Sequence, residues 1–135
     1  MSKSLSRQAG LTFWGLVFIL GFIAIVVLFT LRAFPLYNEK FAVMSAIEAV
    51  NSHPDAGELS KSEIEKFFLR NVQVSNVRRF NSNNISDYLE VIKPEKRGDP
   101  KKIHVKYESR NVLFSDLYLL MDFDVTKPLR GNSDE

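Results

Sequence analysis

Leu11 to Leu31, LTFWGLVFILGFIAIVVLFTL, restricts this chain more than any other stretch. About 21 residues pass without a charge, and at roughly 1.5 Å rise per residue they make a helix of about 32 Å, the depth of a bilayer's hydrocarbon core. A buried core helix is the competing reading. It fails for want of a wrapping, because the roughly 100 residues that follow already use their apolar positions at strand and helix spacing. A cleaved signal also fits badly: its apolar region runs about 7 to 15 residues to a small-x-small site, whereas this run is longer and ends Thr30-Leu31-Arg32-Ala33-Phe34-Pro35. The sequence therefore predicts a basic tail at 1–10, an uncleaved membrane helix at 11–33, one small ectodomain at 34–126 and a flexible tail at 127–135.

Charge placement says more than the net of +2. All 16 acidic residues follow the span, while Lys3 and Arg7 precede it and Arg32 closes it. Weighing Lys3, Arg7 and the amino terminus against Arg32 and Lys40 puts the N-terminus in the cytoplasm and the ectodomain across the membrane. The absence of cysteine permits an oxidising compartment. Trp14 and Tyr37 stand near the two ends of the span and read as interfacial anchors. Gly15 and Gly21 do not have small-xxx-small spacing, so a glycine-driven helix dimer gets little support. No ionisable residue lies within the span, which argues against an ion pathway.

Phe34-Pro35-Leu36-Tyr37 predicts an end or kink of the membrane helix. Beyond it, Phe41, Val43, Met44, Ile47 and Val50 recur at helical spacing and give a core-facing stripe to about Ser52. His53-Pro54-Asp55-Ala56-Gly57 makes a turn. Ser60 and Glu63 form a capping box, with Leu59 placed to staple to Ile64. A helix from Lys61 to about Asn71 follows, presenting Ile64, Phe67, Phe68 and Val72 inward. Val72, Val74 and Val77 hint at a short extended stretch, and Asn81 to Asn84 is turn material. From Tyr88 the period becomes two. Leu89 and Val91, a turn at Lys93 to Pro100, and Ile103, Val105 and Tyr107 predict a hairpin. After a bend near Asn111, Leu117, Leu119, Met121 and Phe123 give a third strand, central or covered because Tyr118 and Leu120 are apolar too. The fold class is α+β: a transmembrane helix, then two helices on a three-stranded antiparallel meander.

The basic tail with GLTFWG, the FPLY exit, the helix at Phe41 to Val50 and the closing YESRNVLFSDLYLLMDF together resemble domain of unknown function 4845, a family of small proteobacterial membrane proteins. The likeness covers nearly the whole chain. The family pattern before the last strand is Leu-Phe-Gly-Asn, where this chain has Leu113, Phe114, Ser115 and Asp116. The resemblance implies a single-span inner-membrane protein, often encoded beside signal peptidase I and ribonuclease III, with no established activity.

Gly10-Leu11-Thr12-Phe13 after a basic leader has the form of a type IV prepilin processing site, but that pattern has glutamate at the fifth mature position, where Gly15 stands. A pilin-like subunit processed after Gly10 is the second functional reading. Arg97-Gly98-Asp99 spells an adhesion tripeptide, and turn chemistry alone accounts for it. Lys93, Lys96, Arg97, Lys101, Lys102 and Lys106 gather basic charge around one turn, with Glu95 and Asp99 among them. A solvated hairpin explains them, and anionic lipid or an acidic partner is the functional alternative. Nucleic acid is not expected, since no aromatic platform interleaves the charges. Neither His53 nor His104 has partners at the spacing of a metal or nucleophile site, and Asp122 and Asp124 sit beside a polar tail. No phosphate loop or dinucleotide fingerprint occurs. No enzyme activity, cofactor or metal is expected. The favoured function is a membrane-tethered interaction or accessory module with an envelope protein as partner.

Overall fold

The computed structural model describes residues 12–130. Its first element, α1 (Phe13–Asn51), is a single helix of 39 residues. The expected end at Phe34-Pro35 is absent, and Pro35 lies inside the helix. A proline there removes one N–H and leaves the Leu31 carbonyl without its helical donor. One residue on, Asn111 Nδ2 donates to the Arg32 carbonyl at 2.7 Å and ties β2 to the helix beside the proline. The N-terminal half of α1 is exposed on all sides, and none of its most apolar window is buried. Further on the helix becomes one-sided. Ala42, Val43, Ala46, Ile47 and Val50 are buried, the three- and four-residue spacing of a core stripe, with Met44 at its margin; Phe41, expected in the stripe, instead points away from the core and is 71% exposed.

α2 (Lys61–Val74) begins at the anticipated capping box. The Ser60 N–H donates to Glu63 Oε2 at 2.8 Å and the Glu63 N–H returns to Ser60 Oγ at 3.4 Å. The backbone N–H of Ser60, and then its hydroxyl, hold the Glu63 carboxyl below the ordinary range. Ile64, Phe68, Leu69 and Val72 are buried against α1, with Phe67 packed at the margin. The extended stretch expected around Val72 to Val77 is not formed. Val72 and Val74 continue the helix, and Val77 enters the core from the following loop, where Asn76 turns the chain at a φ of 60°. Asn81 to Asn84 is a turn held by its own side chains, with Asn81 Oδ1 accepting from the N–H groups of Asn83 and Asn84. A single helical turn, α3 (Ile85–Tyr88), leads into the sheet.

β1 (Leu89–Ile92), β2 (Lys102–Phe114) and β3 (Leu117–Pro128) form an antiparallel meander in the order β1-β2-β3. The expected bend near Asn111 does not occur. β2 runs on to Phe114, with a register irregularity between Val112 and Phe114, and pairs with β3 across a two-residue loop, Ser115-Asp116. β3 is an edge strand rather than a central or covered one, and its outward Tyr118 and Leu120 are exposed. Ile103, Val105, Tyr107 and Phe123 face the helices and close the core with Phe80, whose ring meets those of Phe68, Tyr88 and Tyr107 edge-on at 5.3 to 5.7 Å. The segment 127–130, expected to fray, is tied down. Leu129 is fully buried, the Arg130 N–H donates to Asn51 Oδ1, and the Gly57 N–H donates to the Arg130 carbonyl.

Candidate functional site

Two polar or amphipathic features stand out once the chain is folded, and both lie where α1 emerges from its apolar half. The first is a buried polar tie. Ser109 on the inner face of β2 is the buried polar residue of the core among the described residues, 1% exposed. Its hydroxyl donates to Glu39 Oε2 at 3.0 Å and accepts from Arg79 Nη2 at 2.9 Å. Arg79 Nε donates to Glu39 Oε1 at 2.5 Å and Nη1 reaches the Glu108 carbonyl at 3.3 Å. Helix, loop and sheet are thus joined by groups 30 to 70 residues apart in sequence. Beside the tie, Pro35, Asn38, Glu39 and Asn76 to Arg79 line an open cleft of about 310 Å3. Tyr107 lies under the Arg79 guanidinium, 5.9 Å from its carbon to the ring centre. Its hydroxyl is buried without a hydrogen-bond partner among the described residues. Burial above all, with the Glu39 charge second, pushes the Tyr107 phenol well above the ordinary range, and Arg79 partly opposes this.

The second feature is the meeting of α1 with the far end of the β2–β3 hairpin. Ser109 lies against Glu39 and Asn111 against Arg32, so β2 ascends as α1 descends in number. β3 follows the same line: Phe29, Ala33, Leu36 and Tyr37 of α1 share a groove of about 170 Å3 with Leu119, Leu120 and Met121. Tyr37 lines this groove and is exposed. Trp14 is exposed near the other end of α1, about 35 Å away at roughly 1.5 Å per residue.

The basic residues divide. Lys93, Lys96 and Arg97 are exposed in the loop between β1 and β2, where Gly98 takes a φ of 106° as a turn glycine. Lys101 is half-buried, and its Nζ donates to the Leu59 carbonyl at 3.4 Å. Lys102 begins β2, and Lys106 lies a further turn of the pleat along it, 3.9 Å from Asp124 Oδ2. The loop is at the opposite end of β2 from Phe114, about 40 Å away at roughly 3.3 Å per residue. His104 Nε2 lies 2.7 Å from Asp124 Oδ1 and its Nδ1 3.9 Å from Glu90 Oε2, a cross-strand grouping that no sequence spacing announces. No group of three or more side chains that could hold a metal ion occurs among the described residues.

Fold and site together define a class: a small α+β domain built on the C-terminal half of a helix that is long and apolar enough to cross a membrane. The model of the family described as Domain of unknown function (DUF4845) matches residues 32–123, and the chain belongs to that family. The matched region takes in Glu39, Arg79, Ser109 and the β2–β3 turn. No curated protein and no solved structure matches the chain.

Proposed function

We propose that this chain is a single-span inner-membrane protein whose α+β domain stands in the periplasm as a non-enzymatic interaction or accessory module of the cell envelope. The observation that carries the reading is the continuity of α1. Its exposed apolar half runs without interruption into the half that supplies the domain core, so the domain is held at the membrane surface at one height and angle. Such a mount suits a surface that must meet another membrane-bound protein. A signal-peptide cut after the apolar run would strike inside a continuous helix, immediately before the Arg32 whose carbonyl Asn111 binds. Orientation rests on Lys3 and Arg7 before the span. A non-enzymatic role is supported by the polar tie, where both Glu39 oxygens and the Ser109 hydroxyl already have protein partners. The test is crosslinking of the full-length chain in intact membranes under several growth conditions, followed by mild-detergent extraction. Adducts with a distinct envelope protein are expected; recovery of the chain alone under every condition counts against the reading.

A pilin-like structural subunit is the second reading. What favours it is a 39-residue helix that protrudes at one end and packs on an antiparallel sheet at the other. Processing after Gly10, outside the described residues, is its requirement. An intact N-terminus on protein from a strain with an active prepilin peptidase would end it.

A further inference from the structure

We propose that the tip of the β2–β3 hairpin, Val112 to Tyr118, is a second membrane contact that enters the bilayer beside α1, on the domain's side of the membrane. The inference rests on the reading of α1 as a membrane span. The juxtaposition behind it is a shared polarity boundary on two segments far apart in sequence. On α1 the uncharged run ends at Leu31 and the first charge is Arg32. On the hairpin the charged outer face ends at Arg110, which pairs with Leu120, and beyond it come Val112 opposite Tyr118 and Phe114 opposite Leu117. Asn111, at the hairpin's boundary, is hydrogen-bonded to Arg32, at the helix's boundary. The two changes from charged to apolar therefore fall at one height.

Above that height the strands continue alongside the lipid-exposed helix. From Asn111 to Phe114 the chain rises about 10 Å at roughly 3.3 Å per residue, the reach of a shallow interfacial insertion. Phe114 is 73% and Leu117 60% exposed in the monomer, an apolar tip that water disfavours and acyl chains accept. β3 is an edge strand, and its apolar outer positions, Tyr118 and Leu120, belong to this same end and not to the distal one. Asp116 sets the depth. It is the single residue charged at neutral pH between Arg110 and Asp122, and its carboxylate draws water and headgroups in to the apex of the turn, which limits how far the tip can enter. Lipid is the occupant the geometry favours over a protein groove, because the hairpin meets α1 at Arg32 and Phe29, at the level of the span's last turns.

The chain has no cysteine, so single thiols can be placed without background. Full-length Phe114→Cys, Leu117→Cys, Asp99→Cys and Ile25→Cys variants, labelled with a polarity-sensitive dye, would be reconstituted in phosphatidylcholine–phosphatidylglycerol vesicles. Each is then exposed to a lipid carrying a spin label high on its acyl chain, or to aqueous iodide. The expected result is blue-shifted emission, quenching by the lipid label and shielding from iodide at 25, 114 and 117, with the reverse at 99. Quenching at 25 with iodide access at 114 and 117 overturns the insertion and leaves the anchor standing. Shielding of 114 and 117 from both quenchers also overturns it, since the tip would then be covered by protein. Iodide access at 25 overturns the anchor reading and this inference with it.

Discussion

Ser109, Glu39 and Arg79 bear most directly on how the domain is oriented. A half-buried ion pair made to share a buried hydroxyl is weak as a source of stability, but removing one member strands the others. Arg79→Ala leaves the Glu39 carboxylate, with its side chain 14% exposed, facing Ser109 without a cation. A loss of about 2 to 3 kcal/mol is expected, between the values for exposed and fully buried pairs, measured by chemical denaturation of the full-length chain in detergent. Tyr107 makes the opposite prediction. Its hydroxyl is buried without a partner among the described residues, so Tyr107→Phe should be neutral or stabilising by up to about 1 kcal/mol. The folded phenol also keeps its proton to higher pH than the unfolded one. The stability this confers is fully present below the unfolded value of about 10 and is lost as pH rises above it, because only the unfolded chain then releases the proton. A pH series of denaturation curves should show that fall in the parent and not in Tyr107→Phe.

Among the elements, α1 and the β2–β3 hairpin matter most, and each holds one residue against its local preference. In α1 it is Pro35, which lies where the exposed and packed halves meet, between Arg32 and Glu39, both tied to β2. In the hairpin it is Ser115, at a φ of 48° in a two-residue loop whose first position favours glycine. Ser115→Gly should raise stability by about 0.5 kcal/mol, the relief of left-handed strain outweighing glycine's extra freedom when unfolded. The same denaturation assay reads it, and a loss of stability would show that the Ser115 side chain has a role the turn geometry does not require.

For the molecule as a whole, one helix has two environments. The most apolar window of its N-terminal half is not buried, and its other half is the centre of the core, so the direction of the apolar half and the orientation of the domain are a single mechanical property. In spheroplasts, protease added outside should digest the domain while intact-mass analysis of untreated protein returns the full-length chain. A mass beginning at Leu11 would move the pilin-like reading forward, and a protected domain would place it in the cytoplasm and reopen acidic or nucleic-acid partners for Lys93, Lys96 and Arg97.

Local signals were enough to foresee the apolar run, the capping box at Ser60 and Glu63, the core stripe of α1 and the alternation of β2, since each depends on neighbours within a turn or a pleat. The sequence likewise marked the α+β class and the family. It could not show that α1 continues through Pro35, because the groups that hold the helix on either side of it, Asn111 on Arg32 and Ser109 on Glu39, come from the other end of the domain. Nor could it show that Leu129 is core, that Ser109 binds both Glu39 and Arg79, or that β3 is an edge with Tyr118 and Leu120 exposed. Alternation records which side chains are apolar and not what they face. Only the pairing of strands and the packing of helix on sheet decide that, because those contacts join residues too far apart for any local pattern to encode.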